Sequence, residues 1–141
     1  MSSQMEEWTG IADADRHLGR PMPLPTAVLP LVRWVEVRPM SAGAVEVEWN
    51  LDDTRRGARG RLALYAGLEP PDERVWDVAT AQVDVGGAEA EHRQLPLDEA
   101  EAPLRPAHEL RWQADGLHLR LTAQGPWALD ELLAIGSSIH A

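Results

Sequence analysis

The chain has 141 residues, which suits one domain with its own core and is too short for two ordinary domains. Its formal net charge of −10 argues against general binding to nucleic acid or to an anionic membrane surface. Cysteine and lysine are both absent, which excludes a disulfide framework, a thiolate nucleophile and a Schiff-base or P-loop lysine. Arginine in place of lysine, with many alanines and prolines, is typical of bacterial genomes rich in GC.

The sequence predicts a single domain over residues 1–141 that begins with an N-terminal helix at 1–19. Residues 20–30 hold four prolines, which forbid a helix and favour an extended connector. The first residues lack both a basic segment and an apolar segment of a secretory signal, and no apolar run approaches the ~20 residues of a membrane span. We therefore expect a cytoplasmic protein, or an extracytoplasmic one if a leader has been removed.

From residue 31 the hydrophobic period changes to two, which predicts an antiparallel sheet of about six or seven strands over 31–124. Each predicted strand has one polar face, which is typical of a sheet that is covered on one side. The predicted strands are Leu31–Arg38, Ala44–Leu51, Arg61–Leu68, Val75–Val85, a weaker Ala88–Leu97, Glu109–Gln113 and Leu117–Ala123. Trp49 and Trp112 fall on the apolar faces and are expected in the core.

The last third of the chain predicts a hairpin followed by a helix. Asp115-Gly116 is a strong two-residue turn signal, and it places Trp112 opposite Leu119. A helix is predicted over 125–139, with its apolar stripe on the sheet face that carries Trp49, Leu62, Leu64, Leu119 and Leu121. The fold class is therefore α+β, with the N-terminal and C-terminal helices packed on one face of the sheet.

Two segments resemble a bacterial domain family of unknown function. The first is ADADRHLGRPMPLP, closed by Leu29-Pro30, which is similar to the family's helix followed by P-x-P and L-P. The second is LRWQADGLHLRLT running into LDELLAIG, which is similar to the family's W-x-x-D-G-x-x-x-x-L and L-x-E-L-x-x-I-A ending. Such domains often form the extracytoplasmic, sensor-like part of membrane-anchored regulators such as anti-sigma proteins, with a sheet like that of lipoprotein carriers. The resemblance implies a regulatory role, and since the family has no agreed catalytic residues, it assigns none to this chain.

The histidines and carboxylates of the sequence do not have the spacing of a known catalytic or metal-binding motif. The five histidines have neither the i, i+2 spacing of a strand site nor the i, i+4 spacing of a helix site, so no metal site is predicted. Glu46 and Glu48 share one strand face and could serve acid–base chemistry, but the solvated side of an antiparallel strand is the preferred explanation for them. No cofactor is expected.

Arginines supply the candidate binding residues. The segment 54–61 concentrates four arginines in an acidic chain, and as a hairpin loop it would hold a phosphate or an acidic partner, or neutralise Asp52-Asp53. The Asp115-Gly116 turn places Arg111 opposite Arg120, and like charges across a ladder need an anion nearby. Either glutamates of the sheet supply it, or an external anion binds there. The candidate residues are Arg111, Arg120, His118, Arg55, Arg56 and Arg59.

The sequence predicts a non-enzymatic binding or regulatory domain that recognises a protein partner or a small ligand, such as a small anion. One alternative is an acidic inhibitor such as a toxin-immunity protein, since the negative charge suits masking a basic enzyme. Another alternative is a small-molecule enzyme or carrier with a pocket between sheet and helix. The oligomeric state is not predicted.

Overall fold

A computed structural model describes residues 12–26, 32–40, 43–53, 58–71, 80–95, 107–124 and 127–140. Two helices are present in this part of the chain, α1 over 12–18 and α2 over Leu129–Ser137. The strands are β1 (Leu24–Pro25), β2 (Val32–Pro39), β3 (Ala44–Asp53), β4 (Ala58–Gly67), β5 (Thr80–Val85), β6 (Ala88–Leu95), β7 (Ala107–Ala114), β8 (Leu117–Gln124) and β9 (Ile139–His140).

Seven strands form one antiparallel sheet in the order β2-β3-β4-β8-β7-β6-β5. Each consecutive pair within β2–β4 and within β5–β8 forms a hairpin or meander, and the β4–β8 ladder joins the two groups. The predicted α+β class with a seven-stranded antiparallel sheet is confirmed.

The helices cover one face of this sheet, which we call the inner face. The period-two pattern directs alternate apolar side chains to it, and burying them is the main favourable term in folding. One cluster contains the inner-face residues, both helices and Trp127: Ala14, Leu18, Met22, Val45, Val47, Trp49, Leu62, Leu64, Ala66, Val85, Ala90, Leu110, Trp112, Leu117, Leu119, Leu121, Ala123, Trp127, Leu132, Ile135 and Ile139. The predictions that both helices pack on one face and that Trp49 and Trp112 lie in the core are confirmed.

The last hairpin has the predicted turn. Asp115 and Gly116 have φ angles of 51° and 77°, which is the left-handed pair that a type I′ turn requires. The register that follows places Trp112 opposite Leu119 and Arg111 opposite Arg120, as predicted. The carbonyl of Asp115 accepts a hydrogen bond of 2.9 Å from the Arg20 guanidinium, which ties this turn to the segment after α1.

Helix α2 is shorter than the predicted 125–139. It begins at Leu129, where the Glu131 carboxylate accepts a 3.1 Å hydrogen bond from the Ala128 N–H and satisfies a free donor of the first turn. It ends at Ser137, and the Ser138 hydroxyl donates to the Ile135 carbonyl at 2.7 Å. The chain then leaves the helix because Ile139–His140 pairs as β9.

The connector 20–30 is not extended coil throughout. Leu24–Pro25 pairs with Ile139–His140 as a short antiparallel ladder, and the Thr26 hydroxyl donates to the Ser138 carbonyl at 3.0 Å. Proline is tolerated there because β1 has a neighbour on one side only, so the missing N–H costs no ladder bond. The N-terminal segment is thereby fastened to the residues that follow α2.

Candidate functional site

The face opposite the helices, which we call the outer face, carries charged side chains in registered rows. One row runs through Arg38, Glu46, Tyr65, Arg120, Arg111, Glu91 and Gln82, one residue from each strand of the sheet. Because side chains alternate between faces, the polar positions of the period-two pattern all come to this surface. The row therefore combines residues that are far apart in sequence.

Glu46 neutralises two arginines of this row. Its Oε1 lies 2.6 Å from an Arg38 guanidinium nitrogen, and its Oε2 lies 2.9 Å from one of Arg120. The Arg120 guanidinium also lies 5.5 Å above the centre of the Tyr65 ring, in cation–π distance. The hydrogen bond from Arg38 to Glu46 is the main cause that raises the pKa of Arg38 above its usual value.

Glu109 takes the same role for Arg111. Its carboxylate lies 2.5 Å from Arg111 Nε, and Glu109 is only 3% exposed. Arg93 is the register partner of Glu109 on β6, and its guanidinium lies 3.6 Å from the Glu91 carboxylate. Arg111 and Arg120 thus each have a carboxylate of the sheet as partner. An external anion at this pair would have to compete with Glu46 and Glu109.

Beside the row lies an outer-face depression of about 770 Å³. Strands β5 to β8 and the segment Pro70–Pro71 line it, and its polar lining residues are Gln82, Glu89, Glu91, Arg111, Gln113 and His118. Within the described part of the chain, the side chains of Gln82, Glu89, Gln113 and His118 form no hydrogen bond or ion pair. Two amides, a carboxylate and an imidazole are therefore available to a bound molecule.

The structure brings some of the predicted site residues together and separates others. Arg111 and His118 line the same depression, and Arg120 lies next to Arg111 in the register. Arg59 belongs to β4 and pairs with Asp52 instead of lying in a loop, because the ladder continues past the predicted strand end. Six residues of strand separate Arg59 from Tyr65, a backbone separation of about 20 Å along β4. Arg55 and Arg56 lie outside the described residues.

Sequence reasoning missed Gln82, Glu89 and Gln113 as candidates for the site. The signal that could have found them is their strand position, since all three lie on the polar face of a predicted strand. Uncharged amides on such a face give no sign of being grouped until the order of the strands is known. The depression depends on that order.

The polar side chains that line the depression can donate and accept hydrogen bonds. Among the residues that the structure describes, no three acidic or histidine side chains are grouped closely enough to hold a metal ion. In the same ranges, no helix combines the length and the apolar composition needed to cross a membrane.

Comparison with protein-family models, with curated proteins and with solved structures finds no match to this chain. The resemblance to the sensor-like domain family therefore stays a prediction from the quoted motifs.

Proposed function

We propose that this chain is a non-enzymatic binding domain that takes a small polar molecule in the outer-face depression. The observation that carries the proposal is the set of four polar side chains there without a partner in the described structure, namely Gln82, Glu89, Gln113 and His118. The neighbouring arginines, by contrast, are paired with glutamates. A regulatory role, as the resemblance to sensor-like domains implies, is consistent with binding without catalysis.

The dimensions of the depression favour a small molecule as ligand. A volume of about 770 Å³ lies within the range of roughly 300–1,000 Å³ that is typical of small-molecule sites. Pro70–Pro71 forms one wall, and proline adds rigidity because its φ angle is fixed. A rigid wall loses little conformational entropy when a ligand binds against it.

The lining also favours one class of ligand. The amides of Gln82 and Gln113 offer donors and acceptors, and the carboxylate of Glu89 accepts hydrogen bonds only. Arg111 already pairs with the Glu109 carboxylate, so a monoanion gains less here than it would at an isolated guanidinium. We therefore expect an uncharged or cationic molecule with several hydroxyl, amide or ammonium groups, and not the small anion considered from sequence.

The test is an NMR titration of ¹⁵N-labelled protein with a panel of polyols, amides, amines and amino acids. We expect backbone shifts that concentrate on β6, β7 and β8 around Gln113 and His118. Replacing Gln113 with Ala should weaken binding by about tenfold, the effect of one lost hydrogen bond of about 1.4 kcal/mol. Gln94→Ala is the matched control, since Gln94 is an exposed amide on β6 whose register puts it on the inner-face side.

Two results would overturn the proposal. If no compound shifts the NMR signals of residues that line the depression, the proposed site is wrong. Equal weakening by Gln113→Ala and Gln94→Ala would show that the effect of the substitution is not local.

The acidic inhibitor is the second candidate function, and the formal net charge of −10 favours it. A basic protein partner would be steered by charge, so its association rate would fall steeply as salt increases. It would also bury a broad surface, which one depression does not supply. Salt-sensitive capture of a basic protein that is unaffected by Gln113→Ala would favour the inhibitor over the small-molecule domain.

A further inference from the structure

Two histidines face each other on the inner-face side of β6 and β7, on the other side of the sheet from the polar side chains that line the depression. His92 Nε2 lies 3.0 Å from His108 Nδ1, and the rings are stacked with centroids 5.2 Å apart. His108 is only 8% exposed and His92 is half-buried. The register explains the contact. His92 on β6 pairs with Leu110 on β7, and His108 lies two residues before Leu110 on the same face of the sheet.

The two rings share one hydrogen bond. His92 Nε2 and His108 Nδ1 are both able to donate or to accept it, because a neutral imidazole carries its hydrogen on either ring nitrogen. In the neutral pair one ring donates and the other accepts. The contact therefore joins β6 to β7 through two side chains on the same face.

Nothing in the described surroundings stabilises positive charge strongly. The register neighbours on the inner-face side are Ala81 on β5, Gln94 on β6, Leu110 on β7 and Ala123 on β8, none of which titrates. In the first turn of α2, Asp130 and Glu131 are exposed. Burial is the main cause that lowers the pKa of both histidines, with the charge of His108 adding to the effect on His92, while the bond to Trp127 opposes it for His108.

We infer that the His92–His108 pair is an acid-sensitive contact between β6 and β7. One additional proton leaves a single hydrogen between the two facing ring nitrogens, so the bond is kept. A second proton places two N–H donors and two positive charges at 3.0 Å, which breaks the bond between the rings. This inference is independent of the proposed ligand site, which lies on the opposite face.

The direction of the pH effect follows from the lowered pKa values. The unfolded chain, with histidine pKa near ~6.5, binds more protons in mildly acidic solution than the folded chain does. The stabilisation by the pair is therefore complete above about pH 6.5, and it is lost as the pH falls from there through the folded values. The contact between His92 and His108 is therefore intact at neutral pH and is weakened in acid.

The test combines ring ¹⁵N NMR with urea unfolding between pH 8 and pH 5. At pH 8 we expect both rings neutral with one hydrogen shared between His92 Nε2 and His108 Nδ1, and on acidification both should titrate below the unfolded value. The unfolding equilibrium constant of the native chain should rise several-fold more between pH 7.5 and pH 5.5 than that of His92→Gln/His108→Gln. The matched control His118→Gln removes an outer-face histidine and should keep the native pH dependence.

Several outcomes would contradict the inference. Ring signals that titrate at or above the usual histidine value would exclude a neutral buried pair. The same pH dependence in native chain and double variant would exclude any role of the pair in stability. If the double variant does not fold, His92→Gln carries the test alone, since glutamine keeps a donor to His108 Nδ1 but removes the second titrating ring; unchanged pH dependence there would also overturn the inference.

Discussion

The Glu46 carboxylate on β3 pairs with the Arg120 guanidinium on β8, although strand β4 lies between them. The arginine reaches across by lying over the Tyr65 ring of that middle strand, and the second carboxylate oxygen binds Arg38 on β2. One carboxylate thus connects three strands of the outer face. Its energetic weight can be measured because a less buried glutamate, Glu36, binds the same Arg38.

We expect Glu46→Gln to reduce the free energy of unfolding by about 1–3 kcal/mol, since it leaves the part-buried Arg120 guanidinium without its carboxylate, while Arg38 keeps Glu36 and Glu48. The Glu46 side chain is 13% exposed and that of Glu36 is 52% exposed. Glu36→Gln should therefore change stability by less than about 0.5 kcal/mol. Urea unfolding at pH 7 measures both, and equal losses would show that Glu46 has no special role.

Leu132 should be the most costly single truncation in α2. Its side chain is 0% exposed and packs in the core cluster, so Leu132→Ala should cost about 2–5 kcal/mol. Leu133 is only half-buried against the same cluster, and Leu133→Ala should cost clearly less. Urea unfolding of both variants gives the comparison. A larger loss at Leu133 would mean that the helix presents a different face to the sheet.

Two glycines should respond to alanine for different reasons. A Cβ at Gly67 would lie 2.5 Å from Tyr65 Oη and 2.9 Å from Ala44 Cβ, so Gly67→Ala should cost about 1–3 kcal/mol through overpacking and should displace the Tyr65 ring. At Gly116 a Cβ meets nothing within 4 Å, but its φ of 77° should cost Gly116→Ala about 1–2 kcal/mol. NMR of the tyrosine ring separates the two, because only Gly67→Ala should move its signals.

Ser137 and Ser138 should each protect a different backbone amide from hydrogen exchange. The Ser138 hydroxyl accepts from the Thr26 N–H at 3.1 Å, and the Ser137 hydroxyl accepts from the Gly86 N–H at 3.0 Å. Ser138→Ala should therefore accelerate amide hydrogen exchange at Thr26 but not at Gly86, and Ser137→Ala should do the reverse. Acceleration of both amides by either variant would indicate that α2 moves as one unit against both segments.

The local parts of this fold were predictable and the non-local parts were not. Alternation identified the inner-face positions such as Val47 and Leu121, and turn chemistry set Arg111 opposite Arg120. The contact between Glu46 and Arg120 requires the β4–β8 pairing, which no local pattern specifies. The His92–His108 pair escaped for the same reason, because rules of histidine spacing apply within one helix or strand and these residues come from two.

The β4–β8 ladder has a consequence for how the chain folds. Its nearest pair in sequence, Gly67 and His118, is separated by about 50 residues, whereas the other ladders of the large sheet join consecutive strands. Loop-closure entropy therefore delays this ladder relative to the two meanders, β2–β4 and β5–β8, that it joins. The Asp115-Gly116 hairpin can assemble early, while Leu64 and Leu121, which meet across the late ladder, report on the rate-limiting step. Substitutions at that pair should slow refolding, whereas substitutions at the β2 edge should mainly accelerate unfolding.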